Sequence, residues 1–438
     1  MRVAILGGGI TGLTAGYLLA KKGHSVTIFE KEKILGGLAS GFNPPNSATS
    51  DVTGGWDWPL ERAYHHLFAN DDDILSFAKE VGFDQIYFQE PITASMYEKP
   101  NYKIQISNNK FNLYPLDTPV DFLQFPRLSP IQKIRAGAIL AGLKLSPFLS
   151  LYEKQTAKEF LKKTMGNDTW NIMWESLFRK KFGKYAGNIL ASFIWARIKK
   201  RTKKLGYIRG GFQAFVDYLE KVNNEKGVVI KKGTGVGDIK KTGNTFVVNS
   251  QEFDSVISTL PTMLMTKITQ NIFPDIYLKK FEKLHYLHAV NLIIESKEPL
   301  FEKEYWINVC SEELPIMVLV QHTNFIDKKN YNGNHILYIG NYVDKDHKLL
   351  KMGNEEILHY FLPYLKKINT KYQIFDTKYY LFKAPFAQPI FDKDFLQNKP
   401  DFKTPVKNFF IANLDMTYPY DRGTNYAVKL GREVSSLL

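Results

Sequence analysis

The feature that most constrains this chain is a glycine motif near its start. Gly7-x-Gly9-x-x-Gly12 follows an apolar run at residues 3–6 and opens a stretch with helical spacing at residues 12–22. In such a turn the first glycine permits a sharp change of direction, the second lets the backbone approach a pyrophosphate, and the third lets helix and strand pack closely. The N–H groups and positive dipole end of the helix would bind phosphate. The motif predicts a nucleotide-binding strand–loop–helix unit.

An acid and a second glycine pair follow the motif. Residues 25–29 are rich in β-forming side chains and lead into Glu30, 18 residues after Gly12. A carboxylate there can accept hydrogen bonds from both ribose hydroxyls and would repel a 2′-phosphate, which disfavours NADP. Gly36 and Gly37 begin six residues after Glu30, where their amides could reach the far side of a pyrophosphate. On these residues alone, FAD and NAD both remain open.

With these motifs the sequence resembles the FAD-dependent amine oxidase superfamily, which includes monoamine oxidases, protoporphyrinogen oxidases and phytoene desaturases. The resemblance is closest to the bacterial protoporphyrinogen-oxidase-like branch and runs nearly end to end. It includes Glu61-Arg62-Ala63-Tyr64-His65-His66, Lys181-Phe182-Gly183, Gly206-Tyr207-Ile208-x-Gly210-Gly211-Phe212 and Thr417-Tyr418-Pro419-Tyr420-Asp421-Arg422-Gly423-Thr424-Asn425. The resemblance implies FAD as the cofactor. The attachment is expected to be non-covalent, because the single cysteine, Cys310, does not match the attachment cysteine of monoamine oxidases.

The C-terminal segment is expected to complete the cofactor site. Residues 409–412 are predicted to form a strand, and residues 424–437 a helix. The N-terminus of that helix would stabilise the reduced, anionic flavin ring near N1 and C2=O. The family's glycine–acid pair, which meets the ribityl chain, is replaced by Ala412-Asn413, so Asp415 or Asp421 is a candidate substitute, and Arg422 could instead pair with a carboxylate.

The predicted cofactor contacts form one set along the chain. Leu38 stands where the family often has arginine, and the resemblance implies a backbone contact from Val236 to adenine. The full set is Gly7, Gly9, Ile10, Thr11, Gly12, Glu30, Lys31, Gly36, Gly37, Leu38, Ala39, Val236, Asn413, Asp415, Gly423, Thr424 and Asn425.

The order of helix and strand signals predicts an α/β fold with a Rossmann-type FAD-binding domain and an interleaved α+β substrate domain. The FAD-binding domain is assigned to residues 1–75, 205–260 and 400–438. The substrate domain is assigned to residues 76–204 and 261–399, with a basic helical part at 120–204.

Paired histidines are the candidate catalytic side chains. His65 and His66 could act as general acid and base, bind substrate, or serve as polar core residues. Adjacent residues of a strand point to opposite sides, so both cannot easily bind one metal, and no metal is expected. The candidate substrate-pocket residues, each of which could equally be structural, are Tyr64, Trp306, Gln321, His322, Tyr342 and Gln388.

The chain is strongly basic, and the charge is concentrated in one block. The formal net charge is +14, and residues 120–205 hold 18 Lys+Arg against 5 Asp+Glu, a net of +13. The block could be a solvated face, or it could bind an anionic membrane or an anionic substrate; without a nucleic-acid motif, that partner is not expected. A single cysteine and no visible signal peptide favour a cytoplasmic protein, with peripheral contact at the inner face of the membrane as an extension of that expectation.

The residues and the resemblance together predict a flavin-dependent oxidoreductase that passes a hydride from a small organic substrate to flavin N5. Two alternatives stay open. One is a flavin-dependent isomerase similar to UDP-galactopyranose mutase, acting on a nucleotide sugar. The other is a non-catalytic FAD-binding protein at a membrane surface. The substrate, the electron acceptor and the oligomeric state are not determined by these patterns.

Overall fold

The computed structural model describes residues 1–44, 55–99, 110–373 and 377–438. The strands of these segments are β1 (Arg2–Leu6), β2 (Ser25–Phe29), β3 (Gly41–Phe42), β4 (Leu60–Glu61), β5 (Leu67–Phe68), β6 (Ile86–Gln89), β7 (Ile92–Glu98), β8 (Phe111–Pro115), β9 (Leu205–Ile208), β10 (Val229–Lys231), β11 (Ile239–Thr242), β12 (Thr245–Val248), β13 (Gln251–Phe253), β14 (Ser255–Ser258), β15 (Tyr286–Ser296), β16 (Glu304–Val309), β17 (Val318–Gln321), β18 (His335–Val343), β19 (Lys378–Pro389) and β20 (Phe409–Ile411). The α-helices are α1 (Ile10–Lys21), α2 (Asp72–Val81), α3 (Pro119–Gln124), α4 (Pro130–Leu145), α5 (Ala157–Met165), α6 (Asn167–Met173), α7 (Glu175–Phe182), α8 (Ala191–Lys200), α9 (Gly211–Glu225), α10 (Thr262–Ile268), α11 (Asp275–Lys279), α12 (Asn354–Ile368), α13 (Lys393–Asn398) and α14 (Thr424–Ser435).

A parallel sheet carries the glycine motif. Its strand order is β10-β2-β1-β14-β20, and each neighbouring pair is parallel. Helices α1, α9 and α14 pack together beside it. The helices approach closely at glycines: a Cβ on Gly16 of α1 would lie 2.8 Å from Asn223 Oδ1 of α9, and one on Gly431 of α14 would lie 2.7 Å from Thr14 Cβ. The mixed α/β fold predicted from the sequence is confirmed.

The strands of this sheet come from three separated parts of the chain. β1 and β2 lie within residues 1–75, β10 and β14 within residues 205–260, and β20 within residues 400–438. One strand pairing crosses the expected domain boundary. Strand β6, which lies in the expected substrate domain, pairs with β9 of the expected FAD-binding domain in a small antiparallel sheet. The division of the chain into two domains at the stated boundaries stays a prediction.

A seven-stranded sheet with the order β19-β15-β18-β17-β16-β7-β8 forms the second layer. Its strands run antiparallel except for the β16–β7 pair. Side chains alternate between its faces. Leu337 and Ile339 pack with α12, whereas Tyr338 belongs to the core shared with the glycine-motif side. One face of this sheet is therefore available to build a site against the parallel sheet and its loops.

Helices α3 to α8 occupy most of the basic block. Capping boxes fix the starts of three of these helices, α3, α4 and α5: Thr118 with Asp121, Ser129 with Gln132, and Thr156 with Glu159. Among the described residues, no helix is both long and apolar enough to span a membrane.

Candidate functional site

The glycine motif forms an open cradle at the start of α1. Gly7 has φ +112°, which favours glycine, and a Cβ on Gly12 would lie 2.1 Å from Gly7 O. At Gly9 the nearest atom to a Cβ would be 3.9 Å away, so the space beside it is free. α1 begins at Ile10 with neither a side-chain cap nor an acid in its first turn. The amides of this turn can therefore meet an anion in the free space.

The two glycine elements lie against each other. The Gly36 N–H donates to Gly8 O at 2.9 Å, and Gly9 and Gly36 form a parallel bridge. Gly36 and Gly37 have φ +115° and +57°, which place this loop in the left-handed region. A Cβ on Gly37 would lie 3.5 Å from Gly9 Cα. The sequence motifs that stand about 27 residues apart thus frame one cleft at the carboxyl ends of the parallel strands.

Glu30 is fixed to the same cleft. Its Oε2 accepts from the Gly8 N–H and its Oε1 accepts from the Glu32 N–H, both at 2.8 Å. Its backbone carbonyl accepts from the Thr234 N–H at 2.7 Å, which brings the end of β10 alongside. Each carboxylate oxygen retains a second lone pair, so the side chain can still accept from ribose hydroxyls. Of the other expected contacts here, Ile10 and Ala39 are buried, Thr11 and Val236 are half-buried, and Lys31 and Leu38 are exposed.

The side chains after β20 are engaged inside the protein. Asn413 Nδ2 donates to Leu260 O at 2.9 Å and to Thr262 Oγ1 at 3.0 Å. Asp415 accepts from Tyr286 OH at 2.7 Å and from Thr262 Oγ1. Burial raises the pKa of Asp415 to about 6, and its other oxygen, Oδ1, is buried without a partner. Asn413 and Asp415 therefore connect the end of β20 to the segment that follows β14. Of the polar atoms of the Asp415 carboxylate, only Oδ1 has no hydrogen-bond partner.

The start of α14 is open in the same way as the start of α1. Gly423 is its N-cap, without a side-chain cap, and the first turn contains no acid. Thr424 is buried, and Asn425 is buried with its amide accepting from the Ile74 N–H at 3.1 Å and donating to Asp73 at 3.2 Å. The side chain of Asn425 therefore holds α2, and the amides of the first turn are what α14 offers to a ligand.

Tyr64, His65 and His66 lie between the two layers. The His65 ring lies 5.4 Å from the Phe212 ring at the start of α9, whereas the His66 ring lies 5.5 Å from Trp306 on β16. Burial lowers the pKa of His65 to about 4 and of His66 to about 3. Both imidazoles are therefore neutral at pH 7. All three side chains are half-buried. The space between the two layers beside them is called the interior chamber below.

Aromatic rings of the seven-stranded sheet form the far wall of this chamber. Tyr64 makes edge contacts with Trp306 at 4.9 Å and with Tyr338 at 6.1 Å. A Cβ on Gly340 of β18 would lie 2.6 Å from Tyr64 Cε1, so glycine is what lets this ring reach the sheet. Tyr342, two residues further along β18, is half-buried and lies under Arg422. The expected pocket residues Tyr64, Trp306 and Tyr342 are thus brought together.

The other expected pocket residues have different surroundings. Gln321 is fully buried, with its carbonyl accepting from the Leu300 N–H at 2.9 Å. His322 is buried and its Nε2 is paired with Tyr331 OH at 2.9 Å. Both sit in the core and are satisfied there. Gln388 is buried with Oε1 unpartnered, and its neighbour Ala387 accepts a hydrogen bond from Arg422.

Three basic side chains lie beside the same chamber, and of these the sequence analysis had singled out only Arg422, as a possible partner of a carboxylate. Lys181 of α7 and Arg197 of α8 both pair with Asp421, and Arg422 lies over Tyr342. The only signal for them was the Lys181-Phe182-Gly183 motif within the basic block and the placement of Arg422 beside Gly423. Among the described residues, no group of three or more His, Cys, Asp or Glu side chains could hold a metal ion.

Comparison with known proteins assigns the chain to a family. The family model described as flavin containing amine oxidoreductase matches residues 10–437. The chain belongs to this family, and it is an FAD-dependent oxidoreductase.

The curated relatives match only parts of the chain. A carotenoid phi-ring synthase of Streptomyces griseus is 29% identical over 136 residues, which cover 30% of this chain and 24% of that protein. A 4,4′-diapophytoene desaturase of Staphylococcus haemolyticus is 55% identical over 42 residues, covering 10% of this chain and 8% of that protein. The chain thus aligns with about a quarter or less of the length of these relatives.

Solved structures match over the whole chain and show the fold. An oxidoreductase from Methanosarcina mazei has a TM-score of 0.74 at 18% identity, covering 100% of this chain and 99% of that chain. A protein provisionally named protoporphyrinogen oxidase from Exiguobacterium sp. 255-15 has a TM-score of 0.71 at 15% identity, covering 100% and 98%. A reduced UDP-galactopyranose mutase has a TM-score of 0.69 at 13% identity, covering 99% and 94%.

The residues present fit FAD. The free space beside Gly9, the uncapped start of α1 and the adjoining Gly36 loop form a cradle for a pyrophosphate, and Glu30 stands where a ribose would follow. The uncapped start of α14 lies next to the interior chamber, because Arg422, which directly precedes the N-cap Gly423, lies over Tyr342. The cradle and the chamber together provide separate places for a dinucleotide and a substrate.

Proposed function

We propose that this protein oxidises an organic substrate held in the interior chamber, using FAD bound non-covalently at the carboxyl edge of the parallel sheet. Bound FAD supplies the electron-accepting chemistry, in which a hydride or its equivalent passes from the substrate to flavin N5 before O₂ or another acceptor takes the electrons. The observation that carries the proposal is the position of the segment 64–66, with His65 against the glycine-motif side and His66 against the seven-stranded sheet.

The glycine cradle holds the nucleotide in this proposal. The first-turn amides of α1 donate to the pyrophosphate, and Gly9 leaves room for it. Glu30 accepts from the ribose hydroxyls while the Gly8 and Glu32 amides hold its carboxylate in place. The remaining contacts are proposed for Thr11, Lys31, Gly36, Gly37, Leu38, Ala39, Val236, Asn413, Asp415 and the residues that begin α14.

The two histidines handle the proton that must leave when the substrate is oxidised. His65 Nδ1 lies 2.6 Å from Ala63 O, so it carries the hydrogen and its Nε2 lone pair is free to accept a proton. His66 Nδ1 lies 3.3 Å from Tyr305 OH. Because both imidazoles are neutral and face the chamber, either can accept a proton from a bound substrate without first losing one.

Anaerobic flavin reduction tests the proposal. The flavin-loaded protein is mixed with a substrate drawn from porphyrinogens, carotenoid precursors, amines and nucleotide sugars, and the visible absorption of oxidised flavin is followed. We expect one class to bleach the flavin, with colour and turnover restored by an acceptor. Conversion of a substrate that requires previously reduced flavin and consumes no acceptor would contradict the proposal.

That contradicting outcome would support the alternative of an isomerase. The fold shared with UDP-galactopyranose mutase and the cations around Asp421 favour this alternative, because a nucleotide sugar carries phosphate charge. A third possibility is an FAD-binding protein without turnover, for which neither reduction nor isomerisation would be observed with any substrate.

We further propose that the helical part touches an anionic membrane surface. One face of α4 carries exposed Ile131 (79%), Ile134 (72%) and Leu145 (79%), and Phe148 (63%) and Leu151 (53%) follow it. Such a row of exposed apolar side chains beside a basic surface is typical of shallow insertion at the interface. The apolar run at residues 139–151 contributes only in part, because its members on the opposite face of α4 pack inward.

Vesicle co-sedimentation tests this contact. A variant with Ile131→Ser, Ile134→Ser and Leu145→Ser should lose most binding to vesicles containing anionic lipid, since each inserted side chain contributes up to ~1.5–3 kcal/mol. The matched control is Ile276→Ser on α11, which removes another isoleucine that is 81% exposed. Binding should also weaken with salt. Equal binding by the triple variant and the control would contradict the proposal.

The basic residues at the C-terminal end of α8 are poor choices for this test. Lys199 donates to Ser146 O at 2.9 Å and Lys200 donates to Asn70 O at 2.8 Å. Arg201 pairs with Asp117 at 2.7 Å. Because these charges hold the fold together, neutralising them would change more than lipid attraction.

A further inference from the structure

Two cations, Lys181 and Arg197, meet at the carboxylate of Asp421 beside the chamber, and a third cation, Arg422, follows Asp421 in the chain. Lys181 Nζ lies 2.5 Å and Arg197 Nη1 lies 3.6 Å from the same atom, Asp421 Oδ2. Arg422 donates to Ala387 O at 2.6 Å and to Tyr342 OH, and no carboxylate of the described residues forms an ion pair with it. The cluster of Lys181, Arg197, Arg422 and Asp421 therefore has an excess of two positive charges.

The side chains of the cluster are partly buried. Accessible fractions are 17% for the Lys181 side chain, 28% for Asp421 and 38% for Arg197. Even so, burial lowers the pKa of Lys181 to about 8 and lowers the pKa of Arg197 and Arg422. Uncompensated charge on partly buried side chains is costly unless a ligand neutralises it.

The cluster lies beside the candidate catalytic side chains. The charges of Arg422, Asp421 and Arg197 all act on the Tyr64 hydroxyl, and Arg422 also acts on His65. Arg422 is followed directly by Gly423, the N-cap of α14. A ligand that met these cations would therefore stand next to the start of α14 and to the aromatic wall of Tyr64 and Tyr342.

We infer that the chamber binds its substrate through an anionic oxygen group, a carboxylate or a phosphate, held by Arg197 and Arg422 with Lys181 as the third cation. Guanidinium groups offer a planar fork of N–H donors that matches the oxygens of both groups. Asp421 keeps Lys181 and Arg197 in place by its ion pairs. A protonated amine would meet repulsion from the same cluster, so this inference, which rests on the proposed function, disfavours cationic substrates.

Calorimetric titration of the flavin-loaded protein tests the inference. Inorganic pyrophosphate and succinate are the phosphate and carboxylate probes, and putrescine is the cationic probe. We expect saturable binding of at least one anion, no binding of putrescine in the chamber, and a loss of roughly tenfold or more in anion affinity for Arg197→Gln.

The control separates a built site from general attraction by the net charge. Arg209→Gln removes an exposed arginine that lies over Tyr87 at 5.3 Å, and it should bind as the native protein does. Native affinity in Arg197→Gln, or no binding of either anion, would overturn the inference. If Arg197→Gln does not fold, Arg197→Lys keeps the charge without the fork, and native affinity there would overturn it equally.

Flavin content, measured on the same samples, tests the proposed function separately. If the protein contains FAD but binds neither anion, the inference is wrong and the proposed function is unaffected. Protein that binds an anion through Arg197 but carries no FAD would do the reverse.

Discussion

The carboxylate of Glu30 accepts a hydrogen bond from the backbone N–H of Gly8 at 2.8 Å, which locks the acid that follows β2 onto the loop that opens α1. This contact explains how a residue 18 positions after Gly12 becomes part of the glycine cradle. It also means that Glu30 arrives at a ribose already oriented, because the Glu32 N–H holds its other oxygen.

Replacing Glu30 should therefore weaken FAD binding. Glu30→Ala is expected to cost roughly 1.5–3 kcal/mol of FAD binding free energy, the range for hydrogen bonds to a charged group. Fluorescence titration of the apoprotein with FAD measures it. Glu32→Ala, which removes an exposed acid two residues away, is the control and should bind normally. Equal FAD affinities in the two variants would show that Glu30 does not bind the ribose.

Two glycines of the motif should respond differently to alanine. Gly12→Ala places a methyl 2.1 Å from the Gly7 carbonyl oxygen and should destabilise the fold by about 1–3 kcal/mol or more. Gly9→Ala has free space in the protein itself, with the nearest atom at 3.9 Å, and should fold normally.

The methyl at residue 9 should instead collide with the bound pyrophosphate. The expected result is a stable Gly9→Ala protein that retains little FAD, seen by comparing thermal unfolding of the apoprotein with its flavin content after reconstitution. Normal FAD binding by this variant would show that the pyrophosphate lies elsewhere.

The histidines should matter for the reaction and not for the cofactor. His65→Ala and His66→Ala should both retain FAD, and at least one should slow flavin reduction about 10²-fold. Stopped-flow absorbance with the true substrate measures the rate. His359→Ala on α12 removes an exposed histidine and serves as the control. Native rates in both chamber variants would assign the pair a structural role.

Glu61 should make the stability of the fold depend on pH. It is fully buried and accepts from the Tyr207 hydroxyl and the Phe212 N–H, and burial raises its pKa to about 7. A folded-state pKa raised from 4.5 means that the stabilising contribution is complete below pH 4.5 and is lost as the pH rises through 7.

Urea unfolding between pH 5 and 8 tests this expectation. The native protein should lose stability relative to Glu61→Gln as the pH rises, by up to a few kcal/mol at about 1.4 kcal/mol per unit of pKa change. The difference between the two proteins isolates Glu61 from the histidines, whose lowered pKa values act in the opposite direction. A pH-independent difference would contradict the assignment.

Local patterns predicted the part of the molecule whose geometry is local. The strand–glycine–helix unit follows from Gly7 and Gly12, because the turn and the close packing are made by residues a few positions apart. The direction of the Asn413 and Asp415 side chains could not be predicted, because their partner Thr262 lies more than 150 positions away.

The cationic cluster could not be predicted either, because its members also lie far apart in the sequence. Lys181 and Asp421 are separated by 240 positions in the sequence. Lys181 is also one of 18 basic residues in a block whose composition was equally consistent with a solvated face. Several of those residues, such as Lys199 and Lys200, donate hydrogen bonds to backbone carbonyls. Only the fold separates the cations that line the chamber from those that support loops.

Release of the flavin from purified protein is the most direct test of the account. The native protein should be yellow, and denaturation should release intact FAD in a ratio near one per chain, because the cradle at Gly9 and the acid Glu30 hold it without a covalent bond. A folded, colourless protein that binds NADH and not FAD would contradict the central claim, and flavin that stays on the denatured chain would contradict its non-covalent attachment.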